Sequence, residues 1–489
     1  MKRFLVTALC LCFINSPALA LDFDTHRSTQ ERLNTQDKAE QGDAKSQLEL
    51  GINYEKGDGV AQDFKKAAYW YQLAAEKGNA EAQNNLGLLY LKGLGVPKDS
   101  KLALNWLKKA ANQGSALSQN NLGIMYENGT GVPKDLPQAF LWYKKAAEQG
   151  GVDGQYNLAV LYMKGVVIKK DMEQAVFWYE KAAQQGDQDA QNNLGVIYER
   201  GDGVSKDVHK AISWYSKAAQ QGSALAQTNL GVLYMNGDDS IKDSKQALYW
   251  FEKAAAQGNM KSQNNLAFMY EHGQGVPKNM ELAVSWYSKA AEQGFVMAQN
   301  NLGIIYSSEG EFNDYQKALL WFRKAAEQGY SEAQNNLGLM YMKGQGIPVN
   351  NKEAVGWYKK AAEQGLPLGE HNLAVMYMHG LGVKKDSKQA VLWYQRAADQ
   401  GQPLAQNNLA VMYMNGEGIK RNIDKAIYWY TKAAEQNLEL AQINLGLMYA
   451  DGKGVKRDLA KAKYWIGKAK ENGSQDARNL WKSYQLWKY

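Results

Sequence analysis

The sequence predicts an all-α protein, a right-handed superhelical α-solenoid of about twelve helix hairpins of 36 residues each. Three observations predict it. Tryptophan returns at 70, 106, 142, 178, 214, 250, 286, 321, 357, 393, 429 and 465, a step of 36 with a single step of 35. A Leu-Gly or Leu-Ala pair keeps the same beat, from Leu50-Gly51 to Leu445-Gly446. Within each period the apolar residues fall at helical spacing. A fixed period of this length is the signature of a repeat architecture, and it must be found before any single element is read.

The first element is not part of the fold. Lys2 and Arg3, the apolar run Phe4 to Ile14 and the Ala18-Leu19-Ala20 site read as a secretory signal peptide over residues 1–20. The expectation is an exported chain, periplasmic or secreted after cleavage near Ala20. Cys10 and Cys12 are both inside that segment. The mature chain is then without cysteine, which excludes disulfides, thiol chemistry and zinc-thiolate sites. Removing Lys2 and Arg3 leaves 55 basic against 50 acidic residues. That mild balance points to no class of partner.

Residues 21–43 form an N-terminal segment whose stretch Thr35 to Gly42 matches the tail of a second helix and caps the first repeat. Residues 44–473 hold the twelve repeats. The period from Ala80 to Gly114 shows how one is built. Ala82, Gln83, Leu86, Gly87, Leu89 and Tyr90 share one face of a first helix. Position 87 is Gly or Ala in all twelve repeats, so a second helix crosses there too closely for a longer side chain. Gly93-Leu94-Gly95 ends the first helix in a left-handed cap. Asp99 starts the second helix; only Asp and Asn occur at that position, where a short side-chain oxygen takes an orphan backbone N–H. Ala103, Trp106, Leu107, Ala110 and Ala111 are the expected buried stripe, and Gly114 ends the helix. Residues 474–489 start like another first helix. Trp481 stands at the Leu position and Lys482 at the Gly position, so this is a C-terminal capping helix.

The motifs Leu122-Gly123-Ile124-Met125-Tyr126, Gly129-Thr130-Gly131-Val132-Pro133-Lys134-Asp135 and Trp142-Tyr143-Lys144-Lys145-Ala146-Ala147-Glu148-Gln149-Gly150 resemble the Sel1-like repeat, a relative of the tetratricopeptide repeat. The likeness runs over residues 44–473. Three loops depart from it: Gly165-Val166-Val167, Gly237-Asp238-Asp239 and Ser308-Glu309-Gly310. The resemblance implies a protein- or peptide-binding scaffold, an envelope adaptor or a host-interaction factor. Its rival implication is a cell-wall role, either peptidoglycan-linked binding or β-lactam hydrolase-like activity, since some secreted Sel1-like proteins are linked to β-lactams. Those are cysteine-rich. This sequence has no Ser-x-x-Lys and no Gly-x-Ser-x-Gly, so no nucleophile motif supports catalysis.

Other chemistries find little support. His371 and His379 are eight apart, not the i, i+4 pair of a zinc helix; with His26, His209 and His272 they read as surface residues. Metal and cofactor sites are expected to be absent. Lys109 and its equivalents place one basic residue near the second-helix C-terminus in eleven repeats, where it complements the helix dipole; nucleic acid is not an expected partner. No segment approaches the roughly 18 apolar residues of a membrane helix.

An asparagine ladder and a methionine series remain. Asn85 has equivalents in ten other repeats. The resemblance implies that it holds the backbone or carboxylate of a bound peptide; a fastening role between neighbouring hairpins is the alternative. The preceding position holds Asn84, Asn120, Asn192, Asn264, Asn300, Asn335 and Asn407. At about 100° per residue, Asn84 stands about 160° from Leu86, so this series is placed on the outward stripe as the binding candidate. Position 91 lies beside it and carries Met163, Met235, Met342, Met378 and Met414. Met342, Met378 and Met414 fall in consecutive repeats, and methionine suits adaptable apolar contact.

Overall fold

The computed structural model describes residues 29–489, with side chains from residue 34. The signal-peptide reading and His26 lie outside the described residues. Among those described there are 26 α-helices, a terminal 3₁₀ turn and no strand. Two compact units divide the chain, residues 1–226 and 227–489. In the first, helix Thr29–Glu40 precedes five hairpins, from Ala44–Lys56 with Phe64–Glu76 to Gln188–Arg200 with Val208–Gln220. The second unit begins inside helix Ala224–Asn236. It continues through hairpins to Glu439–Asp451 with Leu459–Glu471, then closes with Gln475–Ser483 and the turn Leu486–Lys488. Within each unit consecutive hairpins pack side by side, the arrangement of an α-solenoid.

Local chemistry sets the helix limits. Asp99 is extended, and its carboxylate accepts from the backbone N–H groups of Lys101 and Leu102 at 2.9 and 3.0 Å. These are donors that a helix start otherwise leaves unpaired. Gly93 ends the first helix at φ 72°, and Asn437, standing for glycine at the end of a second helix, takes φ 63°. Gly95 has a further reason to be glycine. A Cβ there would lie 2.1 Å from the carbonyl oxygen of Phe64, at the start of the preceding repeat's second helix. The glycine loop is thus also a joint between repeats.

The three aberrant loops solve the same problem differently. Gly165 keeps the left-handed cap at φ 65°. In repeat 6 the Asp238 carbonyl accepts from the N–H groups of Ile241 and Lys242. In repeat 8 the first helix stops at Ser307, Ser308 is extended, and the shorter loop absorbs the missing residue.

The close crossing at position 87 is present. A Cβ on Gly87 would meet Leu107 Cγ at 2.8 Å, and one on Gly123 would meet the Tyr143 ring at 2.4 Å. Ala103, Leu107, Ala110 and Ala111 are buried. Trp106 is not; it is half-buried, as are nine of its eleven equivalents, and only Trp250 and Trp429 are buried. The tryptophan that reveals the period therefore sits at the rim of the core. Its successor fills the centre, as Tyr71, Tyr143, Tyr179, Tyr215, Phe251 and Tyr287 do. The indole is covered instead by the basic residue three positions on. Lys109, Lys145, Lys217, Lys289 and Lys360 lie 3.8–4.4 Å from the ring centres of their tryptophans. Cation–π attraction adds to the dipole role expected of these lysines.

A glutamine chain binds repeat to repeat. Gln83 Nε2 donates to the carbonyl of Ala75, at the end of the previous second helix, while Gln83 Oε1 accepts from Gln113 at 2.8 Å. Gln119 with Gln149 and Gln191 with Gln221 do the same. Each glutamine satisfies a terminal carbonyl that no intrahelical donor reaches.

Candidate protein-binding face

Within each unit, a first helix packs one side against the second helices of its own and the preceding hairpin, and hydrogen-bonds on another side to the first helix of the next repeat. The second contact corrects the placement of the asparagines. Asn84, Asn120, Asn192, Asn264, Asn300, Asn335 and Asn407 are not on an outward stripe; all are buried, between 1% and 8% exposed. The Oδ1 atoms of Asn84, Asn120, Asn300, Asn335 and Asn407 each accept from the asparagine 36 or 37 residues on, at 2.8–3.1 Å. The angle from Leu86 was sound, but in a stack that direction faces a neighbour rather than solvent. A buried amide must find partners, and it finds them across the joint.

The donors in this ladder are Asn121, Asn157, Asn336, Asn372 and Asn444, members of the Asn85 series. Every asparagine of that series is half-exposed. The two open readings of the series are therefore compatible. In Asn121, Asn157, Asn336, Asn372 and Asn444 an amide hydrogen fastens the neighbour while the side chain stays half-exposed. Met342, Met378 and Met414 are half-buried at the edge of the same face. Met342 packs on the core of its hairpin and takes a long contact from the Tyr358 hydroxyl, 3.8 Å to Sδ.

Repeats 10–12 carry a feature the sequence reading passed over. Leu368, Leu404 and Leu440, each in the first turn of a first helix, are 43%, 40% and 50% exposed. At helical spacing below them follow Asn372, Asn408 and Asn444, then Val375, Val411 and Leu447, all half-exposed. Helix Pro403–Asn415 contains no charged residue. Exposed leucines above a row of asparagines and valine or leucine, repeated on three adjacent first helices, offer the apolar area an interaction surface requires. The signal was visible as Leu at i, Asn at i+4 and Val or Leu at i+7.

Repeat 10 is also distinct inside. Glu370 stands where other repeats have the joint glutamine, and it is fully buried. Its Oε1 is 2.9 Å from Arg396 Nε, the one arginine in the basic series, and its Oε2 accepts from Gln400 at 2.7 Å. His371 takes the Asn84 position; it is 7% exposed beside Tyr394, so it is not the surface histidine expected. Burial lowers its pKa from 6.5 to about 4. Burial also raises the Glu370 pKa, against the opposing pull of Arg396.

The two groups oppose each other in acid. Neutral His371 supports the fold above pH 6.5, and that support is lost as pH falls toward about 4. It is worth at most about 3 kcal/mol. Protonating Glu370 relieves a burial penalty over its raised range. The expected result is that His371→Asn, which restores the ladder residue, is more acid-stable than wild type between pH 6.5 and 4. Parallel melting curves for the two proteins over that range would refute this reading.

Among the described residues no group of three or more His, Cys, Asp or Glu is placed to hold a metal ion, and no helix is long and apolar enough to cross a membrane.

A family model described as Sel1 repeat matches twelve times, from residues 44–79 to residues 440–474. A protective antigen of uropathogenic Escherichia coli strains, displaying an SLR fold, is 38% identical with a TM-score of 0.69, over 85% of this chain and 90% of that one. A Sel1 repeat protein from Oxalobacter formigenes is 35% identical with a TM-score of 0.52, over 66% of this chain and 93% of that one. No curated protein matches.

Proposed function

Since the chain belongs to the Sel1 repeat family, whose members are typically protein-interaction scaffolds, we propose that it is an exported, non-enzymatic scaffold that holds a protein segment on its first-helix face. The observation that carries this reading is the leucine and asparagine face of repeats 10–12. Three exposed leucines border a row of half-exposed asparagines. The exposed leucines give a segment apolar purchase, and asparagine amides offer both a donor and an acceptor to its backbone. The segment that fits is extended, apolar and uncharged. Export rests on the signal-like N-terminus, and an intact mass beginning at Leu21 in the extracytoplasmic fraction is the expected outcome; a mass that retains residues 1–20 would count against it.

The test of the face is a double substitution, Leu404→Glu with Leu440→Glu. Both side chains are exposed, so melting should change by no more than about 0.5 kcal/mol. Recovery of partner on the immobilised chain from a native envelope extract, quantified against wild type, should fall to background. Undiminished recovery of the same partner would remove the face from the function.

A further inference from the structure

The charge of the chain is gathered at one end. Of its 57 Lys and Arg and 50 Asp and Glu, residues 453–489 hold ten and three, and the residues before them balance. The whole formal excess of +7 therefore sits on the last second helix, the loop before it and the two elements that close the second unit. Charge concentrated in this way on an otherwise balanced chain points to an anionic partner. Little of it is neutralised locally. Lys453 pairs with Asp451 at 2.9 Å and Lys461 with Asp458 at 3.9 Å; among the described residues no carboxylate pairs with the others.

The same end holds aromatic rings in solvent. Leu486 is fully buried and pins the turn Leu486–Lys488 on helix Leu459–Glu471. Its neighbours are not buried: Trp487 is 54% exposed and Tyr489 58%. Trp487 stands outside the 36-residue beat and takes no part in the core beneath it. An element that closes a solenoid turns a polar face outward, so a tryptophan held out there calls for another reason. Tyr489 and three of the cations, Lys456, Arg457 and Lys461, line one open cleft beside the start of helix Leu459–Glu471. Asp458 lines it too, but its carboxylate is engaged as the helix cap, accepting from the Lys461 N–H at 2.9 Å.

We propose that this C-terminal end is a docking surface for an anionic phospholipid bilayer, held by the basic cleft and the turn Leu486–Lys488. Two kinds of group act together. The cations meet headgroup phosphates, each strengthening binding at a negatively charged leaflet by about fivefold. Trp487 and Tyr489 supply amphipathic rings of the kind that settle at headgroup depth, apolar body toward the acyl chains and polar edge toward water. Stable attachment without a spanning helix takes two such signals, and both stand on the same short stretch of surface. A nucleic acid would use similar residue types, but it needs a groove that tracks its backbone and a row of stacking rings. A short cleft with one phenol, and one indole beside it, provides neither. The inference goes beyond the scaffold reading, because it assigns the surface that tethers the chain and not the one that holds a partner.

The experiment is co-sedimentation of the chain from Leu21 on, which retains every described residue, with vesicles of phosphatidylcholine alone or mixed with phosphatidylglycerol. Binding should saturate on the mixed vesicles, weaken with salt and stay near background on the neutral ones. Lys456→Gln/Lys461→Gln/Lys488→Gln should bind the mixed vesicles about a hundredfold more weakly. Arg457 is kept, because its Nε donates to the Ala450 carbonyl at 2.9 Å. Trp487→Ser, which leaves the charge unchanged, should lose about tenfold. Both variants should melt as wild type does, since the replaced side chains are exposed. Lys65→Gln/Lys101→Gln/Lys245→Gln removes the same charge from exposed positions elsewhere and should bind as wild type does. Equal binding to both kinds of vesicle, an equal loss in that distant variant, or undiminished binding by either C-terminal variant would overturn the proposal. Tighter binding to a single-stranded oligonucleotide than to the mixed vesicles would overturn it as well, and would give the surface to nucleic acid. Leu404→Glu/Leu440→Glu should keep vesicle binding while losing partner recovery, so the two readings fail separately.

Discussion

Phe251→Ala should destabilise the second unit by about 3–5 kcal/mol, because the ring is completely buried and its loss leaves a cavity. Trp286→Ala should cost clearly less, although tryptophan is the larger side chain. Its indole is half-buried and shielded on one face by Lys289, so part of what it would lose is already given to solvent. Gly231 reports on the same contact from the opposite side. A Cβ there would lie 2.6 Å from the Phe251 ring, so Gly231→Leu should overpack the crossing and cost about 1–3 kcal/mol or more. Gly231→Ala should be milder, since Ala159, Ala267, Ala374 and Ala410 occupy that position elsewhere beside a full tyrosine. Urea unfolding followed by helix signal measures all four, fitted with allowance for partial unfolding, because stacked repeats need not melt together. A larger loss for Trp286→Ala than for Phe251→Ala would contradict the assignment of the core.

The second large effect belongs to repeat 10. Arg396→Ala should remove about 3 kcal/mol at neutral pH by leaving the Glu370 carboxylate buried without its cation. Gln400 still donates to the other oxygen, which holds the loss near the lower end for a broken buried pair. The sign with pH is fixed by the raised Glu370 pKa. As pH falls through that raised value, the carboxyl becomes neutral and no longer needs the arginine, so the penalty shrinks. Adding Glu370→Gln should rescue Arg396→Ala, because glutamine is what the neighbouring joints use with only a lysine nearby. Equal losses for the single and double variants would mean that Arg396 acts through packing on Trp393, which it also covers at 4.8 Å.

Much of this fold was legible because every repeat states it again. A Gly or Ala at position 87, an Asp or Asn at position 99 and a left-handed residue at position 114 recur with one physical reason each. What repetition concealed was direction. Periodicity within one helix places Asn84 away from Leu86 but says nothing of what stands on that side. In a stack the missing wall is the next repeat, so the asparagines became a buried ladder and the half-exposed members proved to be the Asn85 series. Tryptophan misled for a related reason. Its regular spacing marks the rim, where a lysine three residues on can cover it, while the smaller tyrosine or phenylalanine after it fills the centre. The departures were the more informative residues. Glu370, His371 and Arg396 are each unremarkable in composition, and only their position against the repeat shows that one joint has been rebuilt as a set.

The central claim is that the first-helix face, not the second-helix face, receives a partner. Side-chain labelling of the full chain, free and saturated with the partner recovered on it, tests that most directly. The account predicts protection of Leu368, Leu404, Leu440 and Met414, with the exposed second-helix residues Leu392, Tyr428 and Tyr464 labelled equally in both states. Protection of Tyr428 and Tyr464 with no change at the three leucines would contradict it.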